Sequence, residues 1–243
     1  LNLNKKILII SDEPFKFNNN LIYRYKNINR KNLYYLNNDI QYGGKYILKR
    51  IFDISITSFL IIIFSPLFLI SSIFIFIADG FPVINKQIRV GLHGENFVLY
   101  KFRTMKIQSH DERQKLKDEN EKGGPLFKMT DDPRFFNGAK LLRKLSLDEL
   151  PQLINVVKGN MSLVGPRPLF PEDNEFYDHH YLRRLNVLPG ITGLLQINER
   201  NTSSFETWYK YDLEYIENWT LFLDFKILIT TPFVLFKKDT LGK

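Results

Sequence analysis

Two adjacent carboxylates, Asp148 and Glu149, are the residues of this sequence best suited to chemistry. Ser146 with Glu149 three residues later matches a helix capping box, and the alternative is that Asp148 is the cap, with Pro151 inside the first helical turn. Both alternatives put the acids at the N-terminal, positive end of a helix, where the helix dipole favours the ionised carboxylate. An ionised Asp148 suits nucleophilic attack, and an adjacent Glu149 suits a hard cation such as Mg²⁺. As an isolated match, the pair also fits plain helix caps.

A second candidate element is a short proline-rich loop that presents an arginine. Prolines on either side restrict the backbone of Arg167, and the preceding glycine leaves room for close approach of a ligand. A rigidly held guanidinium suits bidentate binding of phosphate, although a proline-rich turn with a solvated arginine has the same sequence. The loop residues are Gly165, Pro166, Arg167 and Pro168, and further positive charge near the same elements comes from Lys101, Arg103, Arg143 and Lys144.

Other patterns carry less chemistry. The stretch Pro189–Gly193 is typical of a tight turn and, followed by Gln196 and Arg200, predicts only a loop. The pair His179-His180 has no evident third metal ligand. The sequence contains neither a P-loop nor a dinucleotide fingerprint, and with only four histidines it suggests no Ser-His-Asp set.

These candidates must be positioned by elements that include one long apolar run, Ile54–Ile77, with Ser65 and Pro66 at its midpoint. About 20 apolar helical residues cross a hydrocarbon core of roughly 30 Å, so the run is long enough to span a bilayer. Pro66 removes a backbone donor and must kink or break the helix, and each half, at about 18 Å, reaches only to mid-bilayer. A kinked crossing helix and a hairpin that returns to the same face both remain open.

Hydroxyl groups along the run can bind the backbone groups that the proline frees: Thr57, Ser65, Ser71 and Ser72. Positive residues flank it on both sides, and the positive-inside rule then favours a hairpin with two cytoplasmic flanks. These are Lys45, Lys49 and Arg50 before it, and Lys86 and Arg89 after it.

Composition narrows the class of protein. The 243 residues include no cysteine, which excludes disulfide scaffolds and thiolate metal sites. The net charge of +8 suggests a polyanionic partner, and the apolar run favours anionic membrane lipids. A nucleic-acid binder with a membrane anchor would rest on net charge alone, and no nucleic-acid module is recognisable, so we expect no nucleic acid partner.

The remaining chain divides into short elements. Residues 1–46 read as an extension with one strand-like patch at Ile7–Ile10 and loop-like, Asn-rich stretches at 18–20 and 27–32. Val83–Val90 and Phe97–Tyr100 predict a β-hairpin, and 108–122 a solvated helix that ends in a Gly-Gly-Pro loop. Apolar residues from 141 to 157 predict two helical pieces that meet at Ser146–Pro151, and Leu221–Phe236 predicts a helix lying in the membrane interface.

Taken together, these segments resemble the bacterial sugar transferases of the monotopic phosphoglycosyl transferase family, which initiate glycan assembly on polyprenol phosphate. The resemblance covers about 190 residues, from Lys49–Asp53 through Tyr100–Met105, Leu141–Pro168 and Pro189–Gln196 to Asp212–Trp219. Two departures, Leu194 where many relatives have Trp and Asn160 where an acid is common, bear on the transferred sugar more than on the reaction.

The resemblance implies a mechanism. Asp148 would attack the β-phosphorus of a UDP-sugar, UMP would leave, and polyprenol (undecaprenyl) phosphate would take the phosphosugar from Asp148. Mg²⁺ is the expected cofactor, with Glu149 as its carboxylate contact. Arg167 looks like a phosphate clamp, and Asp212 matches a further family acid at the substrate site.

The resemblance also implies a place and a topology. The break at Ser65-Pro66 would make the apolar run a re-entrant hairpin that enters and leaves on the cytoplasmic face of the bacterial inner membrane. Partners would then be the UDP-sugar, polyprenol phosphate, anionic membrane lipids, and either a second copy of the chain or downstream glycosyltransferases. The pathway would be exopolysaccharide, capsule, O-antigen or glycoprotein glycan assembly. The alternative hypothesis is a catalytically silent, membrane-anchored scaffold for such a pathway.

We therefore predict an α+β, mostly helical fold, with a re-entrant helix-break-helix membrane hairpin, a small β-hairpin and a catalytic helical domain with interfacial amphipathic helices. The predicted divisions are the extension 1–46, the hairpin 47–80 and the catalytic domain 81–243.

Overall fold

The computed structural model describes residues 8–11, 22–28, 31–36, 44–106, 133–176, 181–199 and 204–236. The predicted solvated helix at 108–122 with its Gly-Gly-Pro end, the Asn-rich stretch 18–20, His179-His180 and Arg200 lie outside these residues. The described part is mostly helical, with small sheets and one long apolar helix near the N-terminus.

Three strands lie in the N-terminal extension: β1 (Leu8–Ser11), β2 (Ile22–Ile28) and β3 (Lys31–Leu36), antiparallel in the order β1-β3-β2. The predicted strand at Ile7–Ile10 is confirmed as β1. The predicted loop at 27–32 is wrong, because all of it except 29–30 belongs to β2 and β3. The overlooked signal is the period-two alternation of Ile, Tyr, Arg, Tyr and Lys from residue 22, which is typical of a strand.

Helix α1 runs from Gly44 to Asp79, 36 residues with Pro66 inside. Pro66 has no N–H to donate to the carbonyl four residues earlier, that of Ile62. The Ser65 hydroxyl donates to this same carbonyl at 2.7 Å, which confirms that a hydroxyl satisfies the freed group. Among the described residues, α1 is the one helix long and apolar enough to cross a membrane. Whether it crosses or re-enters stays a prediction.

One stripe of α1 faces the rest of the protein. Its buried residues recur at helical spacing in two groups, Lys49, Asp53 and Thr57 in the first half and Ser71 and Ile75 in the second. The other faces of the helix expose large apolar side chains such as Phe59, Ile62, Leu69, Ile73 and Ile77. Exposed apolar area of this extent marks a surface for lipid or protein rather than water, so α1 indicates membrane association.

The predicted β-hairpin is confirmed. Strands β4 (Ile84–Val90) and β5 (Asn96–Phe102) pair antiparallel around a short turn at Leu92–Gly94. Helix α3 (Gln152–Lys158) holds the outer edge of β5 through the buried Asn155. Its side chain donates to the Val98 carbonyl at 2.7 Å and accepts from the Tyr100 amide at 3.0 Å.

The two predicted helical pieces are α2 (Ala139–Lys144) and α3, joined through a 3₁₀ turn at Leu147–Glu149. Both capping predictions are wrong. The Ser146 side chain makes no capping hydrogen bond to the 3₁₀ turn, and Pro151 lies just before α3 instead of inside its first turn. Ser146 has φ 55°, in the left-handed region, whereas a capping residue needs extended backbone. The carboxylates therefore sit in the turn before α3 and not in its first turn.

The predicted loop at Pro189–Gly193 is also wrong, because it contains strand β7 (Gly190–Thr192), which pairs in parallel with β6 (Ser162–Val164). A three-residue strand flanked by Gly and Pro has no alternation to reveal it, and its partner lies far away in the sequence.

The remaining helices are α4 (Leu194–Glu199), α5 (Phe205–Glu217) and α6 (Leu221–Phe236). The predicted helix at 221–236 is confirmed in its bounds. Its outward stripe consists of Phe222, Phe225, Ile229 and Phe233, all exposed. Its location in a membrane interface stays a prediction.

Candidate active site

The acidic turn lies against strand β5 and the loop after β6. Asp148 is buried, 9% exposed, while Glu149 is partly open. Each of these two neighbours supplies a cation: Lys101 comes from β5, and Arg167 comes from the proline-rich loop that follows β6. The structure thus brings together the predicted acids and two predicted phosphate-binding residues that are distant in sequence.

Glu149 links the two cations. Its Oε1 atom accepts a hydrogen bond from Lys101 Nζ at 2.9 Å and another from Arg167 Nη2 at 3.1 Å. Of the three side chains, that of Arg167 is the most exposed, at 36%, and that of Lys101 the least, at 15%. Arg167 is therefore open to bind a phosphate group from solvent, whereas Lys101 lies at the more buried side of the site.

Burial and charge oppose each other at the nucleophile candidate. Burial raises the pKa of the Asp148 carboxyl above its usual range, and the nearby Lys101 is the largest influence that lowers it. Glu149 adds to the rise, whereas Arg143 and Arg167 oppose it. Burial lowers the pKa of the Lys101 amine, although the negative charge of Glu149 acts to raise it. The cations rather than a helix terminus thus favour the ionised Asp148.

The Arg167 loop is pinned through its carbonyls. The carbonyl of Pro166 accepts from the Gly190 amide at 2.9 Å, that of Pro168 from Arg89 Nη1 at 3.3 Å, and that of Leu169 from the Val90 amide at 3.0 Å. The carbonyl of Arg167 itself accepts from Arg184 Nη2. The loop has few N–H groups of its own, because two of its residues are prolines, and it is fixed by donors from other elements.

The expectation that Gly165 makes room for a ligand is wrong. A Cβ at this position would lie 2.5 Å from the Leu188 carbonyl oxygen and 3.0 Å from the Gly190 amide nitrogen. The close approach is therefore made by the protein's own backbone at the start of β7, and the glycine lets the paired strands β6 and β7 lie this close together next to the loop.

Two further predicted residues lie near this region. Arg143, exposed at the end of α2, contributes to the field at Asp148 and lies over the Phe135 ring at 4.8 Å. Gln196 on α4 lies beside Gly193, whose backbone in turn approaches Gly165. The Nε2 atom of Gln196 is buried and lacks a partner in the described part of the chain.

Two other predicted residues are bound by elements other than the acidic turn. Arg103 donates to the Asp79 and Gly80 carbonyls at 2.7 Å each and pairs with the Asp79 carboxylate, so it fastens the end of α1. Asp212 on α5 is buried and accepts hydrogen bonds from Tyr181 and Arg184. Arg103 therefore holds the membrane helix, and Asp212 stands behind the Arg167 loop.

Exposed apolar side chains lie on both sides of the acidic turn in the sequence. Leu141 and Leu145 before the turn, and Ile154 and Val157 after it, are all exposed. Since α2 and α3 flank Asp148 directly, the site lies beside a surface suited to lipid.

Three contributors to the site were not predicted from the sequence. Arg184 and Asn155 hold the loop and strand that carry Arg167 and Lys101, and Asp224 pairs with Lys49. Each is a polar residue within an otherwise apolar stretch, the one signal available in the sequence, because such a residue must find a buried partner.

The donor set fits Mg²⁺ held jointly with a substrate rather than a cage made by protein alone. The described residues contain no group of three or more His, Cys, Asp or Glu side chains that could hold a metal. Glu149 with the adjacent Asp148 offers one or two carboxylates, and Mg²⁺ is often bound by that number together with substrate phosphates and water.

Comparison with known proteins agrees with this geometry. Residues 44–238 match the family model described as bacterial sugar transferase. The chain therefore belongs to the bacterial sugar transferase family, as the sequence motifs implied. It is an enzyme of the phosphoglycosyl transferase class.

Three relatives show the range of similarity. The uncharacterized sugar transferase EpsL of Bacillus subtilis is 45% identical over 185 residues, 76% of this chain and 85% of the relative. The undecaprenyl-phosphate galactose phosphotransferase of Salmonella typhimurium is 40% identical over 211 residues, 84% and 44%. The UDP-glucose:undecaprenyl-phosphate glucose-1-phosphate transferase of Klebsiella pneumoniae is 38% identical over 199 residues, 79% and 40%. This chain thus spans under half of the latter two proteins.

Proposed function

We propose that this enzyme transfers a sugar 1-phosphate from a UDP-sugar to polyprenol phosphate, through a covalent phosphosugar intermediate on Asp148, with release of UMP. The observation that carries the proposal is the buried Asp148 next to a glutamate that joins two cations, beside an apolar surface. The name of the Klebsiella relative supports the same donor and acceptor classes, and that of the Salmonella relative supports the same acceptor class.

In the first step, an ionised Asp148 oxygen attacks the β-phosphorus of the donor. The bond from that phosphorus to the bridging oxygen breaks, and UMP leaves with the electron pair. In the second step, an oxygen of polyprenol phosphate attacks the same phosphorus and the Asp148 carboxylate leaves. Polyprenol diphosphosugar is the product. A covalent intermediate lets a soluble donor and a lipid acceptor use one site in turn.

Phosphoryl transfer depends mainly on positioning and charge neutralisation. Arg167, the more open cation, would bind the donor diphosphate bidentately. Lys101 would neutralise charge beside Asp148 and keep it ionised before attack. Glu149 would hold both cations in place and provide the carboxylate for Mg²⁺. When bound, Mg²⁺ would neutralise the diphosphate charge and assist departure of UMP.

We propose that α1 re-enters rather than crosses, so that the enzyme is monotopic on the cytoplasmic face of the inner membrane. Both ends of the helix contact the same catalytic part: Lys49 Nζ donates to the Val164 carbonyl at 3.2 Å near the start, and Arg103 binds Asp79 at the end. A helix that crossed the membrane would place these ends on opposite sides. The exposed apolar stripes of α2, α3 and α6 would then lie in the same interface.

The reaction is tested with membranes that contain the protein, undecaprenyl phosphate and a panel of UDP-sugars. We expect UMP release with at least one donor, and its loss in Asp148→Asn. UMP release undiminished in Asp148→Asn would overturn the nucleophile assignment, and no turnover of any donor would favour the silent scaffold.

Topology is tested separately, on a chain that has no natural cysteine. Single cysteines at positions 47 and 82 should both react with an impermeant thiol reagent from the cytoplasmic side only. Labelling from opposite sides would establish a crossing helix. We also propose that this reaction is the first membrane step in the assembly of a surface polysaccharide or glycoprotein glycan. The donor sugar accepted in the panel would narrow the choice between these pathways.

A further inference from the structure

A buried guanidinium, that of Arg184, lies directly behind the Arg167 loop. Its Nε atom donates to Asp212 Oδ2 at 3.0 Å, and its Nη2 atom donates to the Arg167 carbonyl. The Tyr181 hydroxyl donates to the same Asp212 oxygen at 3.1 Å, and the Arg184 guanidinium lies over the Tyr181 ring at 4.9 Å. Arg184 and Asp212 are each only 4% exposed. A continuous polar chain therefore runs from Asp212 to the main chain of Arg167.

The pair costs free energy to bury, because each charge loses its hydration. A stabilising role alone therefore accounts poorly for it. The guanidinium supplies a different reason, since its several donors are held in one rigid plane. Because Asp212 binds the Nε atom, the orientation of the Nη2 atom toward the Arg167 carbonyl is fixed.

The carbonyl that Arg184 holds belongs to the very residue whose side chain reaches Glu149 Oε1 at 3.1 Å. The neighbouring carbonyls of Pro166, Pro168 and Leu169 are held instead by backbone amides or by Arg89. Pro166 and Pro168 restrict the backbone dihedrals on both sides, so that a fixed carbonyl also fixes the direction in which the Arg167 side chain leaves the loop.

We propose that Arg184 and Asp212 are positioning residues for the phosphate clamp Arg167. This inference rests on the proposed function, which assigns Arg167 to the donor diphosphate. It replaces the expected contact of Asp212 with substrate: Asp212 acts through Arg184 and the Arg167 main chain. Neither positioning residue touches the donor.

The test compares Arg184→Lys and Asp212→Asn with a matched control, Glu217→Gln. Glu217 on α5 pairs with Arg183, the neighbour of Arg184, at 2.7 Å but is half exposed. We expect kcat/KM for the donor to fall about 10- to 100-fold in the first two variants, because small misplacement of a binding group costs factors of this size. The control should stay within about two-fold of the wild type, as for other exposed ion pairs. Equal activity of Arg184→Lys and Glu217→Gln would overturn the proposal.

A double-variant cycle separates positioning from general destabilisation. In an Arg167→Gln background the clamp is already lost, and Arg184→Lys should lower kcat/KM little further. Losses that multiply would show that Arg184 acts independently of Arg167, and would overturn the proposal.

Binding of UDP by calorimetry gives a readout that needs no turnover. We expect Arg184→Lys to raise the Kd for UDP, as we also expect for Arg167→Gln, while its unfolding midpoint stays close to that of the wild type. An unchanged Kd in Arg184→Lys overturns the positioning role. Failure of the wild type itself to bind UDP contradicts the proposed function, and with it the clamp.

Discussion

Lys49 of the membrane helix and Asp224 of α6 form a buried ion pair, with Nζ and Oδ2 2.6 Å apart. The same aspartate accepts hydrogen bonds from the Tyr215 hydroxyl at 2.8 Å and the Trp219 indole at 3.1 Å. Lys49 also donates to the Val164 carbonyl, three residues before Arg167. The membrane helix is thus joined to the strand that leads into the active-site loop.

Replacing Lys49 with Met should destabilise the fold by about 3–5 kcal/mol, because it leaves the Asp224 charge buried without its cation. Thermal unfolding in detergent measures the loss. The double variant Lys49→Met/Asp224→Asn removes both charges, and should recover part of it. A double variant as unstable as the sum of the two single variants would contradict this account.

Ser65→Ala should cost about 1–3 kcal/mol, because the Ile62 carbonyl then lacks a donor within the lipid or detergent that the proposed membrane location places around it. Ser72→Ala is the matched control. The Ser72 hydroxyl also donates to a helix carbonyl, that of Phe68, at 2.7 Å. That carbonyl still receives the helical N–H from Ser72 itself, so its variant should lose only a few tenths of a kcal/mol. Equal unfolding midpoints in detergent would show that Pro66 leaves no group in need of Ser65.

The pH profile of kcat/KM should be bell-shaped. Burial raises the pKa of Asp148, so its ionised, attacking form is lost as pH falls, at a higher pH than for an exposed aspartate. Burial lowers the pKa of Lys101, so its charge is lost as pH rises, at a lower pH than for an exposed lysine. Lys101→Arg keeps the positive charge at all accessible pH, and should move the alkaline limb upward while it leaves the acid limb in place. An unmoved alkaline limb would assign it to another group.

Gly190→Ala should abolish stable folding or activity, because a Cβ there would overlap the Gly165 amide nitrogen. The neighbouring atoms are backbone and cannot rotate away. Gly94→Ala is the control: Gly94 has φ +78°, but the nearest atom to its Cβ would lie 3.9 Å away, so only the left-handed backbone cost of about 1–2 kcal/mol applies. Expression level and unfolding midpoint distinguish the two. A Gly190→Ala protein as stable as Gly94→Ala would show that the backbones of Gly165 and Gly190 do not lie this close together.

Local chemistry was readable in the sequence. Proline, glycine and apolar spacing predicted the long apolar helix, the β4–β5 hairpin and the two helical pieces around the acidic turn, because these features depend on residues close in the chain. The break of the long helix at Pro66 stays a prediction. The motif order indicated the family, and the family match confirms it.

The assembled site was decided by tertiary structure. Lys101, Glu149 and Arg167 were each candidates, but their shared contact at Glu149 Oε1 depends on packing of β5 and the loop after β6 against the acidic turn. The capping prediction failed because Ser146 has a left-handed backbone, which a serine rarely adopts and the sequence did not indicate. Arg103 and Asp212 were plausible substrate ligands by charge alone, yet the fold buries both side chains against partners within the protein, because a charged side chain removed from water requires one.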